Sequence, residues 1–207
     1  MSNLTDQELI KLLTISKTDR VLDVGGSSKQ HNQIKVDTLV DIIPPENDPY
    51  RPSKNKAKKF VALDITRKTL PFKDKEFDFV YCAHVLEHVK DPEKACNELM
   101  RVAGSGYIET PTRTSDLMCN FTRIPDFHKW HVTQIGNTLV FNEYQSYEQR
   151  EMGSDLFFQM IHTKYSNPLR TMYRKNKDLF TNMLLWNGGF NYYVFNKKAQ
   201  LISSFVY

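Results

Sequence analysis

Three acidic residues stand where apolar runs give way to loops: Asp23 in Val21-Leu22-Asp23-Val24, Asp41 near the end of Val36–Ile43, and Asp64 in Phe60–Ile65. A carboxylate accepts two hydroxyl hydrogen bonds at once, so acids in register along one sheet edge suit a ribose or another diol. Asp41 follows Asp23 by eighteen residues, close to the offset at which an acid meets a ribose in nucleotide-binding α/β folds. Asp37, one turn of the alternation away, is the alternative acid. Any one of the three reads as a solvated loop start; three in register read as a site. Directly after Asp23 comes Val24-Gly25-Gly26-Ser27, and glycine's missing Cβ lets the backbone bend sharply and admit a ligand closely.

A second group is His84, Glu87 and His88, which a helix beginning near residue 84 would place on one face at i, i+3, i+4. His84 or His88 can accept a hydroxyl proton, an unperturbed imidazole titrating near ~6.5. The plainer alternative is a hydrogen-bonded helix start beside the ligand. Farther on, Phe127-His128-Lys129-Trp130-His131 combines an aromatic ring with hydrogen-bonding side chains, which suits a sugar whose C–H face stacks while its hydroxyls need partners. A buried tryptophan with surface histidines is the competing reading. Glu109, near the end of Gly106–Pro111, is a further base or substrate candidate.

The elements that must position these groups alternate. Thr5-Asp6-Gln7-Glu8 reads as a capping box and predicts a helix over Asp6–Leu13. Strands are predicted at Val21–Val24, Val36–Ile43, Phe60–Ile65, Phe77–Cys82 and Gly106–Pro111. Asp91-Pro92 starts a helix that runs to about Val102 and is ended by Gly104 and Gly106. The stretch Ser27–Lys35 is too short for a full crossover helix. Strands alternating with helices argue for a parallel sheet. After Pro111 the pattern changes: Thr138–Asn142 and Tyr192–Phe195 read as strands, with a polar-aromatic helical region over Tyr144–Leu185. The aromatics Phe157, Phe158, Tyr165, Tyr173, Phe180 and Trp186 read as core and lid packing.

Composition narrows the class. The chain of 207 residues is 40% hydrophobic and 25% charged, ordinary for one globular domain, and has no apolar run able to span a bilayer. Cys82, Cys96 and Cys119 are odd in number and lack CxxC spacing, so neither a disulfide framework nor a zinc ribbon is expected; a reducing, cytoplasmic location fits. The net charge of +4 is concentrated partly in Arg51–Lys59. That run reads as a solvated loop, the alternative being a docking patch for a phosphate-bearing partner. It lacks interleaved aromatics, so nucleic acid is not the expected partner.

No G-x-G-x-x-G and no GKS or GKT follows Gly25. An acid-rich site without a phosphate cradle points to a nucleoside without phosphates, of which S-adenosylmethionine is the obvious candidate. The segments Val21–Gly26, Leu70–Val80, His84–Pro92 and Glu98–Val102, in that order, resemble the class I S-adenosylmethionine-dependent methyltransferases of the type 11 branch. The following Gly-Tyr-Ile-Glu-Thr-Pro and His-Lys-Trp are similar to bacterial and viral methyltransferases found among glycan-synthesis enzymes. The third glycine of the family's first motif is absent, and Ala103-Gly104-Ser105-Gly106 replaces its usual Lys-Pro-Gly-Gly.

The resemblance implies a Rossmann-like α/β fold in one domain over residues 1–207. Its seven-stranded, mostly parallel sheet would have the order 3-2-1-4-5-7-6, helices on both faces, an N-terminal helix within 1–19, and a substrate loop and helical insertion over 112–185. It implies that Asp23, Gly25, Gly26 and Ser27 seat the methionine end of the cofactor, Asp41 the ribose, and Asp64 and Ile65 the adenine. Cys82, Ala83 and His84 would line the wall beside the sulfonium. The expected reaction is O-methylation of a sugar hydroxyl in a glycan or nucleotide sugar, with His84 and His88 catalytic and Glu109, His128, Trp130 and His131 on the substrate side. A small metabolite or RNA is the alternative acceptor, and a non-catalytic cofactor-binding protein the alternative class. Relatives with Glu-x-x-Glu-His at this place bind a divalent metal. Histidine at 84 weakens the case for magnesium, which prefers oxygen, so no metal ligand is assigned.

Overall fold

Thr5 opens the first helix through the capping box that the sequence predicts. Its hydroxyl accepts from the Glu8 amide at 3.2 Å, and the Glu8 carboxylate accepts from the Thr5 amide at 2.7 Å. The computed structural model describes residues 5–28, 30–49, 52–119, 127–145, 148 and 156–207. Its first half runs α1 (Asp6–Leu13), β1 (Val21–Val24), β2 (Thr38–Asp41), β3 (Lys59–Ala62), β4 (Phe77–Ala83), α2 (Pro92–Val102) and β5 (Ala103–Pro111). The second half runs α3 (Arg113–Met118), β6 (Trp130–Ile135), β7 (Thr138–Glu143), α4 (Leu156–His162), α5 (Pro168–Lys175), α6 (Lys177–Phe180), β8 (Thr181–Asn187), β9 (Asn191–Phe195) and β10 (Leu201–Phe205).

The main sheet has six strands in the order β3-β2-β1-β4-β5-β8. The first five are parallel, and β8 closes the edge antiparallel to β5. Successive side chains of β1 face opposite sides. Val21 joins Leu9 of α1 with Phe79, Tyr81 and Tyr107 on one face, while Leu22 and Val24 join Ala95, Leu99 and Val102 of α2 on the other. The expected acid at the head of α2 is in place, Asp91 Oδ1 accepting from the Lys94 amide at 3.0 Å. Arg101 near the end of that helix explains the Glu98–Val102 motif. It binds Glu98, the carbonyls of Leu70 and Phe72, and Asp74, pinning the turn that leads into β4.

The sheet departs from the expected seven strands. β6, β7, β9 and β10 form a second sheet of order β10-β9-β7-β6. In β6 and β7 buried and more exposed residues alternate, with Trp130, Val132, Leu139 and Phe141 inward. Strands of that pattern make a sheet with one wetted face, whereas interior parallel strands are apolar on both faces. β9 repeats the pattern with Tyr192 and Val194 inward and pairs with β7 rather than extending the main sheet. The expected helical region over 144–185 therefore ends at α6, with β8 beginning at Thr181. Of the aromatics there, Phe180 and Trp186 are core, while Tyr165 is 82% exposed; the Phe158 side chain lies outside the described residues.

Two other corrections bear on the site. Gly104 and Gly106 do not end α2; they lie inside β5. A Cβ at Gly106 would come within 2.7 Å of the Trp186 ring and of the Val80 carbonyl oxygen, so glycine there lets β8's indole lie against the strand. No helix begins at residue 84. The His84 amide donates to the Glu109 carbonyl at 2.8 Å, prolonging the β4–β5 ladder, and the residue then takes a left-handed φ of 57°, which cannot start a right-handed helix. The short β1–β2 connection holds no helix among its described residues. It is secured by α1 instead, where Asp6 accepts from the amides of Asn32 and Gln33 at 2.6 and 2.7 Å and pairs with His31 Nδ1 at 2.7 Å.

Candidate active site

The carboxyl ends of β1, β2 and β4 bound a cleft of about 410 Å³ whose lining includes Gly25, Asp41, Asp64, Ile65, His84 and His88. Gly25 continues the ladder, donating to the Val40 carbonyl at 2.8 Å, and has φ +80°. A Cβ there would overlap the Cγ2 methyl of Val85, so only glycine lets the turn and Val85 close on one another. The next residue has the same property toward a different neighbour: a Cβ at Gly26 would overlap the Asp23 carboxylate. Ser27 stitches the turn to the end of β2, its amide donating to Asp41 Oδ2 at 3.0 Å and its hydroxyl to the Ile43 carbonyl at 2.6 Å.

Asp41 is oriented by its own loop, Oδ1 accepting from the Ile42 amide at 2.7 Å. Oδ1 also takes the Ile43 amide at 3.5 Å, while Oδ2, bound by the Ser27 amide, keeps a lone pair that can accept from a diol. Asp37 is at the other end of β2, where it accepts from the Val21 amide and pairs with Lys58, so it is Asp41 that borders the cleft. Asp64 Oδ1 accepts from the amide and hydroxyl of Thr66 at 2.9 and 2.7 Å, and Oδ2 lies 3.1 Å from Arg67 Nε. Asp23 is behind the glycine turn, 1% exposed, beside a second cavity of about 250 Å³ that it shares with His31. Burial pushes its carboxyl up to about 7, against His31, whose Nε2 is 4.0 Å away. Cys82 is fully buried behind the cleft and Ala83 is half-buried; burial raises the Cys82 thiol well above its ordinary value.

At the β4 end, Glu87 sits between two histidines, 3.4 Å from His84 Nδ1 and 3.7 Å from His88 Nε2. The three side chains thus meet through a turn rather than through one helix face. His84 Nε2 is 3.0 Å from Glu109 Oε1, whose other oxygen accepts from Tyr107 at 2.6 Å. Burial opposes charging His84, but its bond to Glu109 and the adjacent Glu87 carboxylate outweigh that and raise it to about 9. Burial lowers His88. His88 Nδ1 faces the Phe127 carbonyl, which can only accept, so this nitrogen carries the proton. Glu109 is fully buried and acts on His84, not on the cleft.

The His128–His131 segment divides. His128 is buried, with Nδ1 2.7 Å from Asp116 Oδ1, and its ring lies 4.7 Å from that of His88. Trp130 is part of the core, its indole donating to the Val89 carbonyl at 2.7 Å. His131 leans on Tyr144, 5.2 Å between rings. Phe127 supplies the aromatic wall of the cleft, stacked on His128. Sequence reasoning gave no role to Asp116, Tyr144 or Val85, and took Phe127 only as the first residue of the segment it singled out; nothing in the sequence ties Asp116 to residue 128. In Arg51–Lys59, Lys58 pairs with Asp37 and Lys56 with Asn32, as a solvated loop would; Arg51 lies outside the described residues.

A parallel sheet with a glycine turn after β1 and acids ending β1, β2 and the loop after β3 defines the Rossmann-like methyltransferase fold. A chain from the complex of the Haloferax volcanii Trm112 methyltransferase activator with its candidate methyltransferase has that fold. It is 14% identical over 89% of each chain, with a TM-score of 0.51. An S-adenosylmethionine-dependent methyltransferase from Aquifex aeolicus is 25% identical over 52% of this chain and 63% of its own, with a TM-score of 0.37. The [4+2]-cyclase SpnF is 20% identical over 52% of this chain and 47% of its own, with a TM-score of 0.39. The chain thus spans about half of the cyclase and under two thirds of the Aquifex protein. No curated protein shows significant similarity to it. Residues 20–108 match the family model described as a methyltransferase domain, type 11. Residues 20–108, under half of the chain, thus resemble a methyltransferase domain, for which S-adenosylmethionine is the implied cofactor. The residues fit that group: a glycine turn that a Cβ would block, and two carboxylates at one cleft, Asp41 and Asp64, able to accept from ribose hydroxyls and an adenine amino group.

Proposed function

We propose that this protein transfers the methyl group of S-adenosylmethionine to a hydroxyl oxygen of a sugar, in a glycan or nucleotide sugar. The acceptor oxygen attacks the methyl carbon in line, an O–C bond forms as the C–S bond breaks, and the bonding pair returns to sulfur. The sulfonium makes the methyl electrophilic already, so the protein's work is alignment and removal of the hydroxyl proton. Supporting this reading, the cleft lined by Asp41 and Asp64 continues to His84 and His88. There the buried Glu87 carboxylate has His84 Nδ1 at 3.4 Å but no hydrogen bond of good geometry among the described residues. A hydroxyl docked against Phe127 reaches that cluster, and its proton is drawn off there. His84, between Glu109 and Glu87, serves as the positioning group of the set, and the Gly25–Gly26 turn as the seat of the methionine end, with Asp23 behind it and Ser27 tying it to β2.

Calorimetry with S-adenosylmethionine and S-adenosylhomocysteine, followed by radiolabelled methyl transfer to panels of glycans, nucleotide sugars and RNA, tests the reading. Asp64→Ala removes an acceptor to the adenine amino group, and a hydrogen bond to a charged group contributes about 1.5–3 kcal/mol. Cofactor affinity is expected to fall about tenfold or more. Failure of the wild type to bind either cofactor form would sink the proposal, and transfer to RNA alone would replace the acceptor.

A further inference from the structure

Glu87 is only 1% exposed; His84 Nδ1 lies 3.4 Å from its Oε1, but neither carboxylate oxygen has a hydrogen bond of good geometry among the described residues. Burying an ionised group without such bonds is costly, and in folded proteins such groups are paired or bind metals. Ligand atoms of Glu87, His88 and His128 all lie within 4.8 Å of one another. Both histidines are oriented from behind: His88 Nδ1 donates to the Phe127 carbonyl, and His128 Nδ1 meets Asp116 Oδ1 at 2.7 Å. Asp116 is itself fully buried and fixed by the Tyr144 hydroxyl at 2.7 Å. A histidine whose Nδ1–H is given to a carbonyl or carboxylate has its tautomer and ring direction set, with Nε2 as the coordinating lone pair.

We propose that Glu87, His88 and His128 bind a divalent transition ion of the zinc class beside the donor cleft, leaving a coordination position for the acceptor oxygen. The role at the acceptor rests on the function proposed above; the binding of the ion does not. Two imidazoles and one carboxylate with an open position suit zinc or cobalt, whereas magnesium prefers an all-oxygen shell. Tetrahedral bonds of ~2.0–2.1 Å put ligand atoms about 3.3 Å apart. His88 Nε2 and Glu87 Oε1, at 3.7 Å, are near that already. His84 stays outside the set because its Nε2 is engaged by Glu109. An ion here lowers the pKa of the oxygen it binds, and the hydroxyl proton passes to solvent water at the exposed edge of His88.

The test is titration of the chelator-treated full chain with Co²⁺, read by calorimetry and by visible absorption. One equivalent should bind with the absorption of a nitrogen- and oxygen-ligated site. Glu87→Gln and His128→Asn should each weaken binding at least tenfold. Asp116→Asn, one bond removed from the ion, should weaken it about 10–100-fold. Circular dichroism selects the variants that fold, and any one of the three suffices. A wild type that binds no Co²⁺, or folded variants that bind it as the wild type does, would overturn the proposal. Parallel titrations with S-adenosylhomocysteine separate the two readings: its binding should survive in the variants, and its absence in a wild type that binds Co²⁺ would remove the proposed function alone.

Discussion

Gly25→Ala isolates the close approach on which the cleft depends. The substitution places an L-residue at φ +80°, which costs roughly 1–2 kcal/mol. It also drives a methyl into Val85 Cγ2, and overpacking of that kind costs typically ~1–3 kcal/mol. Gly25→Ala should therefore destabilise the protein by about 3–4 kcal/mol. The Val85 Cβ atom itself is 3.6 Å from the new methyl position, an ordinary contact. Val85→Ala thus removes the overlap at the expense of two partly buried methyl groups, about 1.5 kcal/mol. The double variant keeps the φ strain and the lost methyls but not the clash, about 3 kcal/mol in all rather than the additive 5. A urea-denaturation cycle should show a coupling of about 2 kcal/mol. Val85 lines the cleft, so cofactor affinity should fall in Gly25→Ala and recover in the double variant. A cycle that closes to within ~0.5 kcal/mol, the range of independent sites, would refute the reasoning.

Asp23 predicts a pH effect. Burial raises its folded pKa from 3.8 to about 7, with Asp41 and Asp6 adding and His31 opposing. The folded state therefore holds the proton more tightly, so its stabilisation is complete below pH 3.8 and is lost as pH rises toward 7. Asp23→Asn mimics the neutral acid. Each pKa unit is worth ~1.4 kcal/mol, so the variant should gain up to about 4 kcal/mol on the wild type between pH 4 and pH 7 in urea unfolding. Equal slopes would remove the argument. Trp130→Phe deletes the indole donor to the Val89 carbonyl and should cost about 2 kcal/mol, seen as a Tm about 5 °C lower by calorimetry. An unchanged Tm would mean that the indole is not structural.

Local signals carried the parts of the fold that local chemistry decides. Thr5 and Glu8, Asp91 and Pro92, and the apolar run Val21–Val24 each specify their element through neighbours within a few residues. The helix expected at residue 84 failed because the periodicity of His84, Glu87 and His88 is also that of a turn. What decides between them is the Glu109 carbonyl, 25 residues away. The second sheet was only half legible: β7 and β9 carry β-branched and aromatic runs, whereas β6 reads as a polar loop until Trp130 and Val132 are seen against Leu139 and Phe141. Of the acids at strand ends, Asp41 and Asp64 border one cleft, whereas Asp23 lies beside another cavity. Their behaviour was not legible, since the raised carboxyl of Asp23 and the poorly bonded one of Glu87 depend on burial that no spacing reveals.

The indole of Trp186 lies against Gly106, and Tyr192 of β9 donates to Asn97 of α2 at 3.0 Å. One continuous core takes in Val80, Leu99 and Ile108 with Phe141, Phe190 and Val194. The portions proposed to bind donor and to face acceptor are therefore not exchangeable cassettes. A chimera that kept residues 20–108 and borrowed a relative's later strands would set a foreign surface on a groove cut for one indole. New acceptors should be easier to reach by changing side chains around Phe127 than by grafting whole segments.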